Sequence, residues 1–260
     1  MGHFVMIRKI TLLILLFVFV VPPRAWSQDE ETIQKLFQDA IEAMGGAAFL
    51  NVKDMTSEGQ AFAFDNEGNS SGLIKFVDYT RLPDKSHHES GNRKSELEIT
   101  VFNLEKNEGW IYDPAKGTRE AKPDEMKEFR NVVKHSMDTI FRYRYKDPEN
   151  KFFYLGPGEG HDVTLEMVKI LDPENDETTV YLDRISKLPA KIEYREVNSR
   201  GIRVRIVDEF SQWHMIQGVN TPMRVDSSIN GRRGSQTFVL KITYNNGIPD
   251  SLFSKPIPPK

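Results

Sequence analysis

The sequence predicts a mainly β protein with two helical segments. The expected architecture is a single bent antiparallel sheet forming an unclosed β-barrel capped by helices. Three observations predict it. Short runs of alternating apolar and polar residues fill most of the chain beyond residue 56, joined by turns rich in Gly, Asn, Asp and Pro. Only two segments show helical periodicity. No strand–helix–strand alternation appears, which argues against a parallel sheet.

The first 27 of the 260 residues read as a secretory leader. Arg8 and Lys9 precede an apolar run from Ile10 to Val21, Pro22 and Pro23 break it, and Ala25 and Ser27 fit the −3 and −1 positions of a cut. The run is shorter than the roughly 20 residues a membrane span needs. Cleavage after Ser27 leaves one domain, residues 28–260, expected in the periplasm. No Cys stands at the cut, so no lipid-modified N-terminus is expected there. Losing Arg8, Lys9 and Arg24, and no acid, moves the formal charge from −3 to about −6. That balance excludes the basic footprint of a nucleic-acid partner. With no cysteine in the chain, neither disulfides nor thiol chemistry contribute.

Asp29 to Met44 reads as one amphipathic helix. Ile33, Leu36, Phe37, Ala40, Ile41 and Met44 share a face, acids crowd its first turn, and Gly45-Gly46 supplies the C-cap. Strands follow at Ser57–Phe64 and Gly72–Tyr79, flanking the turn signal DNEGN, and then at Leu97–Leu104 and Trp110–Tyr112. A second helix begins near Pro123, which suits a first turn. Met126, Phe129, Val133, Met137, Ile140 and Phe141 give it an apolar stripe, and Asp147-Pro148 stops it. LGPGEGHD reads as a loop. It lacks the Lys-Ser/Thr of a phosphate cradle. The remainder is strand: Val163–Leu171, Thr178–Ile185, Ala190–Val197, Gly201–Phe210, Pro222–Ile229 and Gln236–Tyr244.

Tests for reaction chemistry come back weak. His87-His88 is the best metal candidate, but neighbours on a strand point to opposite faces. His135, His161 and His214 lack ligand spacing. No Gly-x-Ser-x-Gly elbow occurs, and no Ser has a local signature of a nucleophile. Acidic pairs such as Asp208-Glu209 fall on opposite strand faces or in turns. The basic hairpin INGRRG could touch anionic lipid headgroups, although a solvated turn is its ordinary reading. Arg203 and Arg205 alternate with Ile202, Val204 and Ile206, as on a sheet with one wet face.

Apolar and aromatic surface remains. Ile74 shares a strand face with Phe76, Ile99 with Val101, and Trp110 with Tyr112, because residues two apart point the same way. Packed core is the ordinary reading of each pair. Yet one bent sheet closed by two helices leaves concave area the helices cannot fill, and these residue types suit an apolar pocket.

The order GLIKF, RLPDK and EGWIYDPAKGTREA, with the closing NNGIPDSLFSKP and the strand–turn–strand DRISKLPAKIEYREVNSRG, resembles the periplasmic lipoprotein carrier (LolA-like) superfamily, of the outer-membrane lipoprotein-sorting type. The resemblance implies an unclosed barrel with a hydrophobic cavity for acyl chains. It also implies that Arg81 holds a helical lid, although Leu82 here separates Arg81 from Pro83. The Trp-x-Tyr step falls on Trp110 and Tyr112. The expected function is therefore a non-enzymatic carrier, holding lipoprotein or lipid acyl chains for transfer towards the outer membrane. Its candidate binding residues are Ile74, Phe76, Arg81, Ile99, Val101, Trp110 and Tyr112. No cofactor or metal is implied. An inner-membrane extraction complex and an outer-membrane acceptor are the expected partners. An envelope sensory or structural module of the same fold is the alternative, and an unrecognised hydrolase a weaker one.

Overall fold

First and last strands meet at the centre of one sheet in a computed structural model of the chain. The structure describes residues 28–65, 67–158, 164–197 and 201–257. The expected leader and His161 lie outside the described residues, as does part of the LGPGEGHD loop. The strands are β1 (Asp54–Phe64), β2 (Ser70–Arg81), β3 (Lys85–Ser90), β4 (Glu98–Asn103), β5 (Glu108–Asp113), β6 (Gly117–Glu120), β7 (Lys151–Pro157), β8 (Leu165–Leu171), β9 (Glu177–Asp183), β10 (Pro189–Val197), β11 (Arg203–Ile216), β12 (Val219–Ile229) and β13 (Arg232–Tyr244). Their order is β6-β5-β4-β3-β2-β1-β13-β12-β11-β10-β9-β8-β7. Two antiparallel meanders thus run outward from the β1–β13 seam, where Met55 pairs with Tyr244 and Ser57 with Ile242. The outermost strands, β6 and β7, do not pair with each other, so the sheet is an open half-barrel.

The helices are α1 (Gln28–Ala43), α2 (Ala47–Leu50), α3 (Pro123–His135) and α4 (Met137–Arg142). The apolar stripe of α1 is buried as its spacing requires: Phe37 is 1% exposed, Ala40 and Met44 not at all. Phe37 meets the rings of Phe141, Tyr145 and Phe152 at 5.5–5.9 Å. Burying such a side chain is worth about 1.5–3 kcal/mol, so this cluster fastens α1 and α4 to the β7 side of the sheet.

The expected second helix is broken. At Ser136 the backbone turns extended and the Oγ accepts from Thr139 N at 3.2 Å, an N-cap that starts α4 afresh. Two strands escaped the sequence reading: GTRE forms β6, and KFFYLGP, read partly as loop, forms β7. The polar KSHHES, whose His pair was expected on a strand, forms β3.

Candidate ligand-binding face

Residues paired across antiparallel strands share a face, so register sorts every side chain of the sheet. One row runs Ile242, Ser57, Asp78, His88, Thr100, Ile111 across β13 and β1 to β5. Ile242 and Tyr244 pack on the helical core, so this is the inner, helix-bearing face. The next row, Thr56, Tyr79, His87, Val101, Trp110, lies on the outer face.

The seven expected binding residues therefore do not share one wall. Ile74, opposite Ala61, and Phe76, opposite Gly59, are on the inner face. Arg81, Ile99, Val101, Trp110 and Tyr112 are on the outer face, where Ile99, Val101 and Tyr112 form a small core of their own with Trp110 and Leu97 against it. The expectation of a common cavity wall is corrected in this respect. Strand periodicity says which residues share a face but not which face the helices will cover.

The outer face at β1 to β5 carries the chain's own C-terminal tail. Backbone N–H groups of Asn246 and Gly247 donate to the buried Asp54 carboxylate at 2.9 and 3.3 Å. Arg81 then clamps the tail from β2: its guanidinium pairs with Asp250, donates to the Ile248 carbonyl and lies 5.2 Å from the Phe253 ring centre. His87 Nδ1 donates to the Leu252 carbonyl at 2.7 Å. Phe253 is 1% exposed. Arg81 thus holds a tail, in place of the helical lid the resemblance implied.

The inner face carries α3 as a bridge. At one end Met126 and Phe129 reach β4 and β5. Phe129 stacks on Phe102 with ring centres 4.4 Å apart, and a Cβ added to Gly109 would stand 2.6 Å from Met126 Sδ. At the other end His135 stacks on Tyr194 of β10 at 4.1 Å, and Asn131 donates to Glu196 at 2.6 Å. From β4 to β10 the sheet order counts seven steps, or about 33 Å of sheet at the usual strand spacing. A helix of 13 residues is about 20 Å long. The helix is a chord and the sheet its arc, with β2, β1, β13 and β12 on the stretch of the arc between the helix's two ends. On the inner face of this stretch Ile74 is 37% exposed and the His88 side chain 41%.

Phe76 lies on this inner face beside a polar pair. Gly59 gives the Phe76 ring its place, since any side chain there would collide with that ring and the Phe238 carbonyl. The His88 ring stacks on Phe76, and its Nδ1 contacts Asp78 at 2.6 Å. Burial opposes charge on His88, but the contact with Asp78 outweighs it and the imidazole is pushed up from its ordinary value. On the β11 wall, burial pushes the Asp208 carboxyl up, offset in part by a 2.5 Å hydrogen bond from Ser227. Sequence reading missed both features, which join residues on different strands.

The far end of α3 is fixed by charge. Lys134 pairs with Asp172 and, at 2.8 Å, with Asp176, both in the β8–β9 turn. His135, with no exposed side-chain surface, donates from Nδ1 to the Asn131 carbonyl at 2.8 Å and places Nε2 3.1 Å from Asp176, off the ideal hydrogen-bond direction. Burial opposes ionisation of Asp176, yet its contacts with His135 and Lys134 win and hold the carboxyl at about 2.

No group of His, Asp and Glu among the described residues has metal-site geometry. His87 and His88 lie on opposite faces, as alternation requires. Two shallow clefts of about 220 and 230 Å3, one beside Asp113 and Arg119 and one beside Glu177 and Arg195, are lined largely by charged residues. Among the described residues no helix is long and apolar enough to cross a membrane.

No protein-family model matches the sequence, and no curated protein does. Solved structures do match. A DUF1329 family protein from Desulfovibrio piger superimposes with a TM-score of 0.57 at 15% identity, over 85% of this chain and 97% of that one. A putative outer membrane lipoprotein-sorting protein domain from Vibrio parahaemolyticus gives 0.53 at 14% identity, over 85% and 97%. A LolA superfamily protein from Nitrosomonas europaea gives 0.55 at 10% identity, over 86% and 97%. At these identities the likeness is one of fold: the chain has a LolA-like fold.

Proposed function

We propose that this protein is a non-enzymatic carrier of the bacterial envelope, exported through cleavage of residues 1–27, that shelters the acyl chains of a lipoprotein or lipid. What supports this reading is the arc-and-chord geometry, which leaves room for a gap between α3 and the inner face of β2, β1, β13 and β12. Phe76 and Ile74 lie on that face. Each CH2 taken out of water is worth about 0.8 kcal/mol, so an acylated anchor gains several kcal/mol from even a partial sheath. On this reading Ile74 and Phe76 touch cargo. Arg81, Ile99, Val101, Trp110 and Tyr112 serve it indirectly, by seating the tail that stiffens the outer side of the sheet. Cargo would arrive from an inner-membrane extraction complex and leave to an outer-membrane acceptor.

The polar stretch of the inner face, Ser57, Asp78, His88 and Thr100, favours a second reading, an envelope sensory or structural module whose gap holds no acyl chain. Native mass spectrometry with lipid extraction, on protein purified from its own envelope, separates the two. Co-purifying acylated species support carriage, and an empty protein favours the module. Turnover of ester or glycoside probes would overturn both.

A further inference from the structure

The Asp78–His88 pair leaves one hydrogen-bonding atom unused on the inner face. The two residues stand directly across the β2–β3 ladder. The Asp78 carboxylate accepts from His88 Nδ1 at 2.6 Å. The ring also lies against Phe76, with centres 6.2 Å apart and planes 24° from parallel. It is thus fixed at one edge and on one face, in a side chain that is 41% exposed. Nε2 projects from the free edge, and among the described residues it has no hydrogen-bond partner. Ser57, Thr100 and Ile111 continue the same row on β1, β4 and β5. In the next row Ser90 stands between Phe76 and Glu98. Glu98 is exposed and lines the cleft of about 220 Å3 with Ile111 and Asp113. Asp113 is matched by Lys116 at 3.1 Å and Arg119 by Glu125 at 2.7 Å, whereas among the described residues Glu98 makes no ion pair.

We propose that His88 Nε2 donates to the carbonyl oxygen of an ester- or amide-linked acyl chain, so that the inner face takes neutral acyl groups in preference to free fatty acids. The proposal rests on the carrier reading and names the chemistry of the cargo's polar end. A carbonyl oxygen can only accept, and an imidazolium whose Nδ1–H is held by a carboxylate has Nε2–H left to give. Burial opposes charge on the ring, and Asp78 on β2, Glu89 beside it on β3 and Glu98 on β4 outweigh it, so the proton stays to higher pH than on a free imidazole. The same acids reject a free fatty acid. Asp78 balances His88, and Glu98 is left over, so a carboxylate arriving at Nε2 meets an excess of negative charge. A neutral ester or amide does not.

Competition binding tests it, with palmitic acid and monopalmitoylglycerol displacing a fluorescent acyl probe from the protein recovered after export. At neutral pH the ester should bind about tenfold more tightly than the acid, as one hydrogen bond to a charged donor allows. His88→Phe should lose that preference, with its melting temperature unchanged. His88→Gln keeps an N–H donor and should retain part of it. In wild type the preference should fade from about pH 6 to about pH 9, as the imidazolium gives up its proton, while in His88→Gln it should stay level. Equal binding of ester and acid, or His88→Phe binding the ester as wild type does, would overturn the proposal and leave carriage standing. If neither amphiphile binds, the carrier reading falls and the proposal with it. An imidazole held by a carboxylate can also act as a base. Hydrolysis of the ester that ceases in His88→Phe would therefore overturn the proposal and make His88 a catalytic residue.

Discussion

The ammonium group of Lys255 lies 5.1 Å from the centre of the Trp110 ring, on the outer face of the sheet. This contact decides what the aromatic pair of β5 is for. Trp110 and Tyr112 stand side by side, as their spacing requires, but the surface they make is the bed of the C-terminal tail. Phe76 lies on the other face of the sheet, the one that carries α3.

Trp110→Ala and Phe76→Ala should therefore behave differently. Trp110→Ala should cost about 1–3 kcal/mol of stability through lost packing and leave the affinity for a fluorescent fatty-acid probe unchanged. Phe76→Ala should weaken the probe by about tenfold, the equivalent of one good aromatic contact. Titrations and melts on both variants check this, and the opposite pattern would move the ligand to the outer face.

Arg81→Ala should loosen the tail without opening the inner face. Its guanidinium makes two polar contacts with residues 248–250 and one ring contact with Phe253. Hydrogen bonds to a charged group are worth about 1.5–3 kcal/mol each, so amide exchange at Ile248 to Phe253 should quicken at least tenfold. Exchange in α3 should stay as it was. If α3 becomes labile and the tail does not, Arg81 acts on the lid after all.

The halves of this picture differed in how far the sequence showed them. α1 was legible because one stripe, Ile33 to Met44, meets one core. The start of β11 was legible because its inner Val204 and Ile206 are buried and its outer Arg203 and Arg205 wet. β3 was legible only as strand neighbours at His87-His88, not in its bounds, since both of its faces find polar partners: His87 uses the Leu252 carbonyl and His88 uses Asp78. The pairings Ile74 with Phe76, Ile99 with Val101 and Trp110 with Tyr112 were legible from period two alone. Their assignment to inner or outer faces was not, because it depends on where a tail more than 130 residues distant in sequence comes to rest.

Gly109 is the position through which α3 can be tested. Its missing side chain lets Met126 and Ala121 approach within 2.6 and 2.7 Å of where a Cβ would stand. Gly109→Val should push the N-terminal half of α3 off β5 and cost about 1–3 kcal/mol as overpacking. Probe affinity should change with it, because the chord that defines the gap has moved. A variant with lowered stability and unaltered affinity would show that the gap does not depend on α3.

The other end of the chord should be sensitive to acid. The Asp176 carboxyl titrates at about 2 in the folded chain against 3.8 for a free side chain. A depressed carboxylate stabilises the fold above its unfolded pKa, and that contribution is lost as pH falls from about 4 towards 2. The shift would correspond to about 2.5 kcal/mol if fully sheltered. The Asp176 side chain is 23% exposed and its partner Lys134 is reached by solvent, so about 1 kcal/mol is the expected effect after screening. Asp208, pushed up by burial, has the opposite sign: it favours the fold below its unfolded pKa and withdraws that support as pH rises. Asp176→Asn removes only the first effect. Unfolding free energies from urea titrations of wild type and Asp176→Asn should differ by about 1 kcal/mol at pH 6 and converge near pH 2. Curves that stay parallel across that range would show that the His135–Lys134–Asp176 cluster does not carry the charge coupling that fixes α3.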